Sequence, residues 1–149
     1  MSDFERDWKI AISADDWLRS RGYALVERRG PEGMMQGLTR YHGASAEISI
    51  VADRGRWFVE VRPDGAPAGR YDFECWSFAL GAPISLHTED WDQWTSWQLA
   101  PQLEYLRNHL SQIEAECEIA SLDATVAKLR EGAAATAAFP PTSRDIGAR

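Results

Sequence analysis

Ala46-Glu47-Ile48-Ser49-Ile50-Val51-Ala52-Asp53-Arg54-Gly55-Arg56-Trp57-Phe58-Val59-Glu60-Val61 decides the fold of this chain. Ala46, Ile48 and Ile50 alternate with Glu47 and Ser49. Trp57, Val59 and Val61 alternate again, with Glu60 and Arg62 opposite. A period of two puts successive side chains on opposite faces of an extended strand, so each run buries one face and wets the other. Asp53-Arg54-Gly55, between the runs, has the turn chemistry of a tight hairpin. The stretch predicts two neighbouring antiparallel strands.

Working outward, Pro63-Asp64-Gly65 closes the second strand with turn residues. Tyr71, Phe73 and Cys75 read as a third alternating strand, with Asp72 and Glu74 on its other face. Weaker strands are expected at 23–27 and 38–42. The sum is an antiparallel meander of about five strands with one wet face. N-terminal to it, Phe4, Trp8, Ala11 and Ile12 recur at helical spacing within 4–22. Ser13-Ala14-Asp15-Asp16 resembles an N-cap, which predicts a restart of that helix, and Gly22 a stop. C-terminal to it, Leu99, Leu103, Leu106, Leu110, Ile113, Cys117 and Ala120 are spaced by four and three, and Ala124 and Ala127 continue the series. That stripe packs on the sheet of its own chain or on a partner helix. Pro101 suits a first helical turn. Leu122, Val126 and Leu129 form a shifted stripe behind Ser121, so 99–131 is one helix or a pair. The expected fold is α+β, with the N-terminal helix and the C-terminal helix or helix pair packed on one sheet face. Residues 1–131 read as a single domain, and 132–149, Ala-rich with Pro140-Pro141, as a disordered tail.

The formal charge of −7 is local. Residues 71–124 hold Asp72, Glu74, Glu89, Asp90, Asp92, Glu104, Glu114, Glu116, Glu118 and Asp123 against one base, Arg107, and four of the seven tryptophans. Such a field steers a basic partner and repels phosphate, so nucleic acid and anionic membranes are disfavoured. Residues 81–98 read as an ordered loop with a helical turn. Trp91, Trp94 and Trp97 are spaced by three there, beside Glu89, Asp90 and Asp92. One reading is a recognition surface of aromatic anchors with pairing carboxylates. The other is tryptophans capping the core under solvated acids. With Asp72 and Glu74 these residues form the candidate partner-binding set.

Other chemistry finds less support. His87, Glu89, Asp90 and Asp92 offer hard ligands but lack the glycine and distal glutamate of a calcium loop. His42 and His109 match no zinc spacing, and no metal or cofactor is expected. There is no Gly-x-Ser-x-Gly, and Cys75 and Cys117 sit in apolar contexts that suit buried free thiols. Gly30-Pro31-Glu32-Gly33 lacks the lysine of a P-loop. Asp72 and Glu74 on one strand face could raise one another's pKa, which keeps a small carboxylate enzyme as an alternative. Residues 1–7 lack the basic start and apolar run of a secretory signal, and no run reaches a membrane span, so a cytoplasmic location is expected.

Two segments carry a family resemblance. Ser13-Ala14-Asp15-Asp16-Trp17-Leu18-Arg19-Ser20-Arg21-Gly22-Tyr23 resembles the amphipathic opening followed by Gly-Tyr, and Arg56-Trp57-Phe58-Val59-Glu60-Val61 the central strand, of immunity proteins from bacterial polymorphic toxin systems. The likeness covers residues 13–80. It implies a non-catalytic protein that occludes a toxin's active site, with a basic partner such as a toxin domain. The layout is also similar to small type III secretion chaperones, which are acidic and dimeric. The expectation is therefore a protein-binding module, monomer or homodimer, with a secretion-type chaperone or dimeric scaffold as the alternative.

Overall fold

The computed structural model describes residues 2–83 and 98–136. Helix α1 spans Asp3–Ser20. The strands are β1 (Ala24–Glu32), β2 (Gln36–His42), β3 (Ala46–Asp53) and β4 (Arg56–Pro63). Helices α2 (Phe73–Ala79), α3 (Leu99–Glu116) and α4 (Leu122–Thr136) follow, with a short 3-10 turn at Ile119–Ser121.

The four strands pair in sequence order, each antiparallel to the next. Ile48 lies opposite Val61 and Tyr41, and Ile50 opposite Val59 and Thr39. These six residues are buried and form the inner face. The outer face carries charge: Arg40 reaches Glu27 at 3.1 Å and Glu47 at 3.6 Å, and Arg62 reaches Glu47 at 3.6 Å. It is not wet throughout, because Phe58 and Glu60 at its β4 end are both buried.

The expected fifth strand is a helix. Alternation at Tyr71, Phe73 and Cys75 overlaps a helical series, Phe73, Trp76 and Leu80, and the local cap decides between them. The Asp72 carboxylate accepts the main-chain N–H groups of Glu74 and Cys75 at 3.1 and 3.2 Å, which starts α2. Only an isolated bridge between Glu60 and Asp72 remains of strand pairing.

Helix α1 runs unbroken through Ser13-Ala14-Asp15-Asp16, against the expected restart. Its cap lies upstream, where Ser2 and Glu5 bond reciprocally at 3.0 and 3.1 Å. The Ser13 hydroxyl turns back to the Ile10 carbonyl instead. Trp8, Ala11, Ala14 and Leu18 form the buried stripe. The Trp8 ring lies directly on Gly37 of β2, where a Cβ would come within 2.2 Å of it. Phe4 stacks on Trp57 of β4 at 5.7 Å between ring centres. The helix is thus seated across the inner face by aromatic rings.

A polar clamp fixes the same helix. Arg28 of β1 makes two bonds to the Asp15 carboxylate, at 3.0 and 2.6 Å, and the Tyr41 hydroxyl donates to it too. Burial pushes the Asp15 carboxyl up, but the bonds from Arg28 and Tyr41 and the Arg28 charge outweigh it and hold the carboxyl below its ordinary value. A depressed folded pKa gives stability that is present above the unfolded value of about 3.9 and lost as pH falls through the folded one. Asp15→Asn therefore lowers stability at neutral pH by about 1–3 kcal/mol. It also flattens the loss of stability between about pH 5 and about pH 2 in urea denaturation. An unchanged acid slope would contradict this assignment.

Helix α3 buries Leu99, Leu103, Leu106, Leu110 and Ile113, as the spacing predicts, and Gln102 beside them, which the spacing does not. Gln102 completes the free edge of β4. Its amide oxygen accepts the Val59 N–H at 2.9 Å, and its amide nitrogen donates to the Trp57 carbonyl at 2.8 Å. One side chain thereby plays the part of a neighbouring strand. Gln102→Leu leaves both buried backbone groups unmatched and is expected to cost roughly 2–4 kcal/mol. Urea denaturation should show a lower midpoint with an unchanged slope.

The C-terminal region is two helices. After Cys117 the stripe breaks, and Ala120, Ala124 and Ala127 are exposed rather than buried. The shifted set takes over, with Val126 and Leu129 buried and Leu122 packed against the core. The Thr125 hydroxyl donates to the Glu116 carbonyl at 2.7 Å, satisfying one of the last carbonyls of α3. Helix α4 continues past residue 131 to Thr136. Gly132 permits this, since α4 lies so close to α2 that a Cβ there would be 3.1 Å from the Cys75 carbonyl oxygen. No helix among the described residues is long and apolar enough to cross a membrane.

Candidate functional site

The chain leaving β4 turns at Pro63-Asp64-Gly65 and returns along the same strand. The Val61 N–H donates to the Tyr71 carbonyl at 3.0 Å, and the Tyr71 N–H to the Glu60 carboxylate at 3.0 Å. The Trp76 indole N–H donates to the Val61 carbonyl at 2.8 Å. This return brings Arg70, Asp72 and Glu74 together.

Arg70 is the centre of the cluster. Its guanidinium donates to both Asp72 carboxylate oxygens, at 2.8 and 3.2 Å, and approaches the Glu74 carboxylate at 3.9 Å. The Arg70 and Glu74 side chains are 2% and 4% exposed. Burial works against the cation, but the charges and bonds of Asp72 and then Glu74 outweigh it, so Arg70 stays protonated. Asp72 and Glu74 therefore lie side by side, as read from sequence, but at the start of a helix and around a buried arginine rather than on an open strand face.

The other candidate residues, Glu89, Asp90, Trp91, Asp92, Trp94 and Trp97, lie outside the described residues, as does the loop expected over most of 81–98. The chain leaves α2 at Ala79 and enters α3 at Leu99 on either side of them. Two further acids of the acidic stretch are committed internally. Glu114 accepts from Arg21 at 3.0 Å and from the Tyr23 hydroxyl at 2.9 Å, tying α3 to the end of α1. Glu116 lies 3.9 Å from Lys128. Glu104, Glu118 and Asp123 are exposed and have no ion pair among the described residues.

Both cysteines are buried free thiols. Burial, then the nearby Asp72 and Glu74 carboxylates, push the Cys75 thiol far up. Burial, then Glu114, push Cys117 up to about 12. A thiol so protonated at neutral pH is a poor nucleophile. His42 meets Asp64 at 3.2 Å, and His109 stacks on Tyr105 at 4.0 Å. Among the described residues no group of three or more His, Cys, Asp or Glu side chains is placed to hold a metal ion.

Sequence reading missed Arg70, Glu60 and Gln102. Arg70 was legible in part, because it stands two and four residues before Asp72 and Glu74, within reach of both. Nothing in the sequence marks Glu60 or Gln102, whose partners are backbone groups distant along the chain. Comparison with protein-family models, with curated proteins and with solved structures found no match.

Proposed function

We propose that this chain is a non-catalytic protein-binding module that masks a basic partner, in the manner of an immunity protein covering a toxin domain. One observation carries the reading. From Tyr71 to Leu106 there is no lysine or arginine, while Asp72, Glu74, Glu89, Asp90, Asp92 and Glu104 and four tryptophans lie in that span. Arg70, immediately before it, is occupied with Asp72 and Glu74. The chain's own bases thus leave Glu104 open among the described acids, and Glu89, Asp90 and Asp92 have no basic neighbour in sequence.

Carboxylates in that setting steer a cationic surface at long range, and tryptophans supply the apolar contact area that holds it. The buried Arg70 cluster fixes the start of α2 and the Gln102 bridge the start of α3, and Trp91, Trp94 and Trp97 fall between the two helices in sequence. A rigid base of this kind lowers the entropy cost of presenting a recognition segment. The test is affinity capture from native lysate at low and at high salt. Retention of one basic protein in equal amount, weakened by salt, supports the proposal. Beads that stay empty at both salt concentrations would argue for an enzyme or a self-associating protein.

A further inference from the structure

A groove of 280 Å³ lies between the loop before α2 and α4. It exists because the residues there are small: Ala68 and Gly69 on the loop face Ala133 and Ala134 on the helix. Val126 and Leu129, both buried, form an apolar wall, and Tyr71 forms another. The Tyr71 hydroxyl is already spent on the Pro67 carbonyl.

Two arginines border this space, and they differ. Arg70 is neutralised by Asp72 and Glu74. Arg130 is exposed and has no ion pair among the described residues. Burial raises the Tyr71 phenol, while the charges of Arg62 and Arg130 pull the other way, so both cations act on the ring that walls the groove. Arg62 is engaged by Glu47 at 3.6 Å. In a chain of net charge −7, Arg130 thus sets at the groove mouth a guanidinium that has no ion pair among the described residues. The volume lies just below the roughly 300–1,000 Å³ of small-molecule sites. It is too small for a nucleotide, and a single open cation matches a single negative charge.

We infer that this groove binds a small organic monocarboxylate, with the carboxylate on Arg130 and the apolar body against Val126, Leu129 and Ala133. Guanidinium and carboxylate pair through two parallel bonds, and the apolar wall accepts a short chain without unmatched polar groups. The site is independent of the acidic partner surface, so either proposal can fail alone.

The test is titration of the isotope-labelled full chain with hexanoate, followed by amide chemical shifts. Saturable shifts confined to residues 68–71 and 126–134 are expected. Hexanol, which has the chain without the charge, should bind at least about tenfold more weakly, as should hexanoate to Arg130→Gln. Ala134→Trp, at an exposed position, should block the mouth and abolish the shifts while the rest of the spectrum stays folded. Absence of saturation by about 10 mM, where the free energy falls below roughly 3 kcal/mol, would overturn the inference. Equal binding of hexanol and hexanoate, or full affinity in Arg130→Gln, would do the same.

Discussion

Arg70→Ala should lower the unfolding free energy by about 3–5 kcal/mol, as much as truncating a buried tryptophan. The guanidinium is sealed from solvent at 2% side-chain exposure and faces Asp72 at 2.8 Å and Glu74 at 3.9 Å. Removing it takes the neutralising cation from a buried and a partly buried carboxylate. Asp72 also caps α2, so loosening its carboxylate weakens the helix start as well. Urea denaturation measures the loss directly. Adding Asp72→Asn and Glu74→Gln to Arg70→Ala should recover part of it, because the uncompensated charges go too. A loss below about 1 kcal/mol, the range of exposed pairs, would show that the cluster does not hold the end of the sheet.

The second large effect concerns binding. Trp94→Ala should weaken the partner complex by roughly 30- to 1,000-fold, corresponding to about 2–4 kcal/mol at an interface anchor. Glu116→Ala should change affinity by less than about fivefold, since an exposed pair contributes at most about 1 kcal/mol. Glu116 lies at the far end of α3 from Gln98 and is paired with Lys128. It therefore reports on the general field without an anchor. Similar losses in the two variants would mean that charge alone drives association and that the tryptophans belong to the core.

The legible parts of this fold were those where a single periodicity had no rival. Ile48, Ile50, Val59 and Val61 alternate over a hairpin, and the structure pairs them on one buried face as their pattern requires. The stripe from Leu99 to Cys117 is buried as its spacing demands. Errors arose where two patterns overlapped. Phe73 and Cys75 fit a strand by alternation, but Asp72 supplies a helix cap, and capping two N–H groups decided the outcome. Ser13 has the sequence context of a cap yet bonds back to the Ile10 carbonyl: hydroxyls mid-helix and at helix starts look alike in sequence. The break after Cys117 has no glycine or proline to announce it, so only the shifted stripe through Leu122, Val126 and Leu129 gave it away.

For the candidate site, the neighbourhood of Asp72 and Glu74 was legible because they are close in the chain. The burial of Glu74 was not. It depends on Arg70 and on the return of residues 70–72 along β4, contacts that follow from tertiary packing rather than from local pattern. Gln102 illustrates the same limit. A polar residue within an apolar stripe reads as a flaw, whereas here it is the group that closes a sheet edge.

The account turns on masking, and the activity of the captured partner tests it most directly. The partner, purified alone, is assayed for its own reaction while this chain is added in increasing molar ratio. The account predicts that activity falls to background at one equivalent, and that Trp94→Ala moves the end point to a large excess. A partner that binds at one equivalent yet keeps full activity would contradict it.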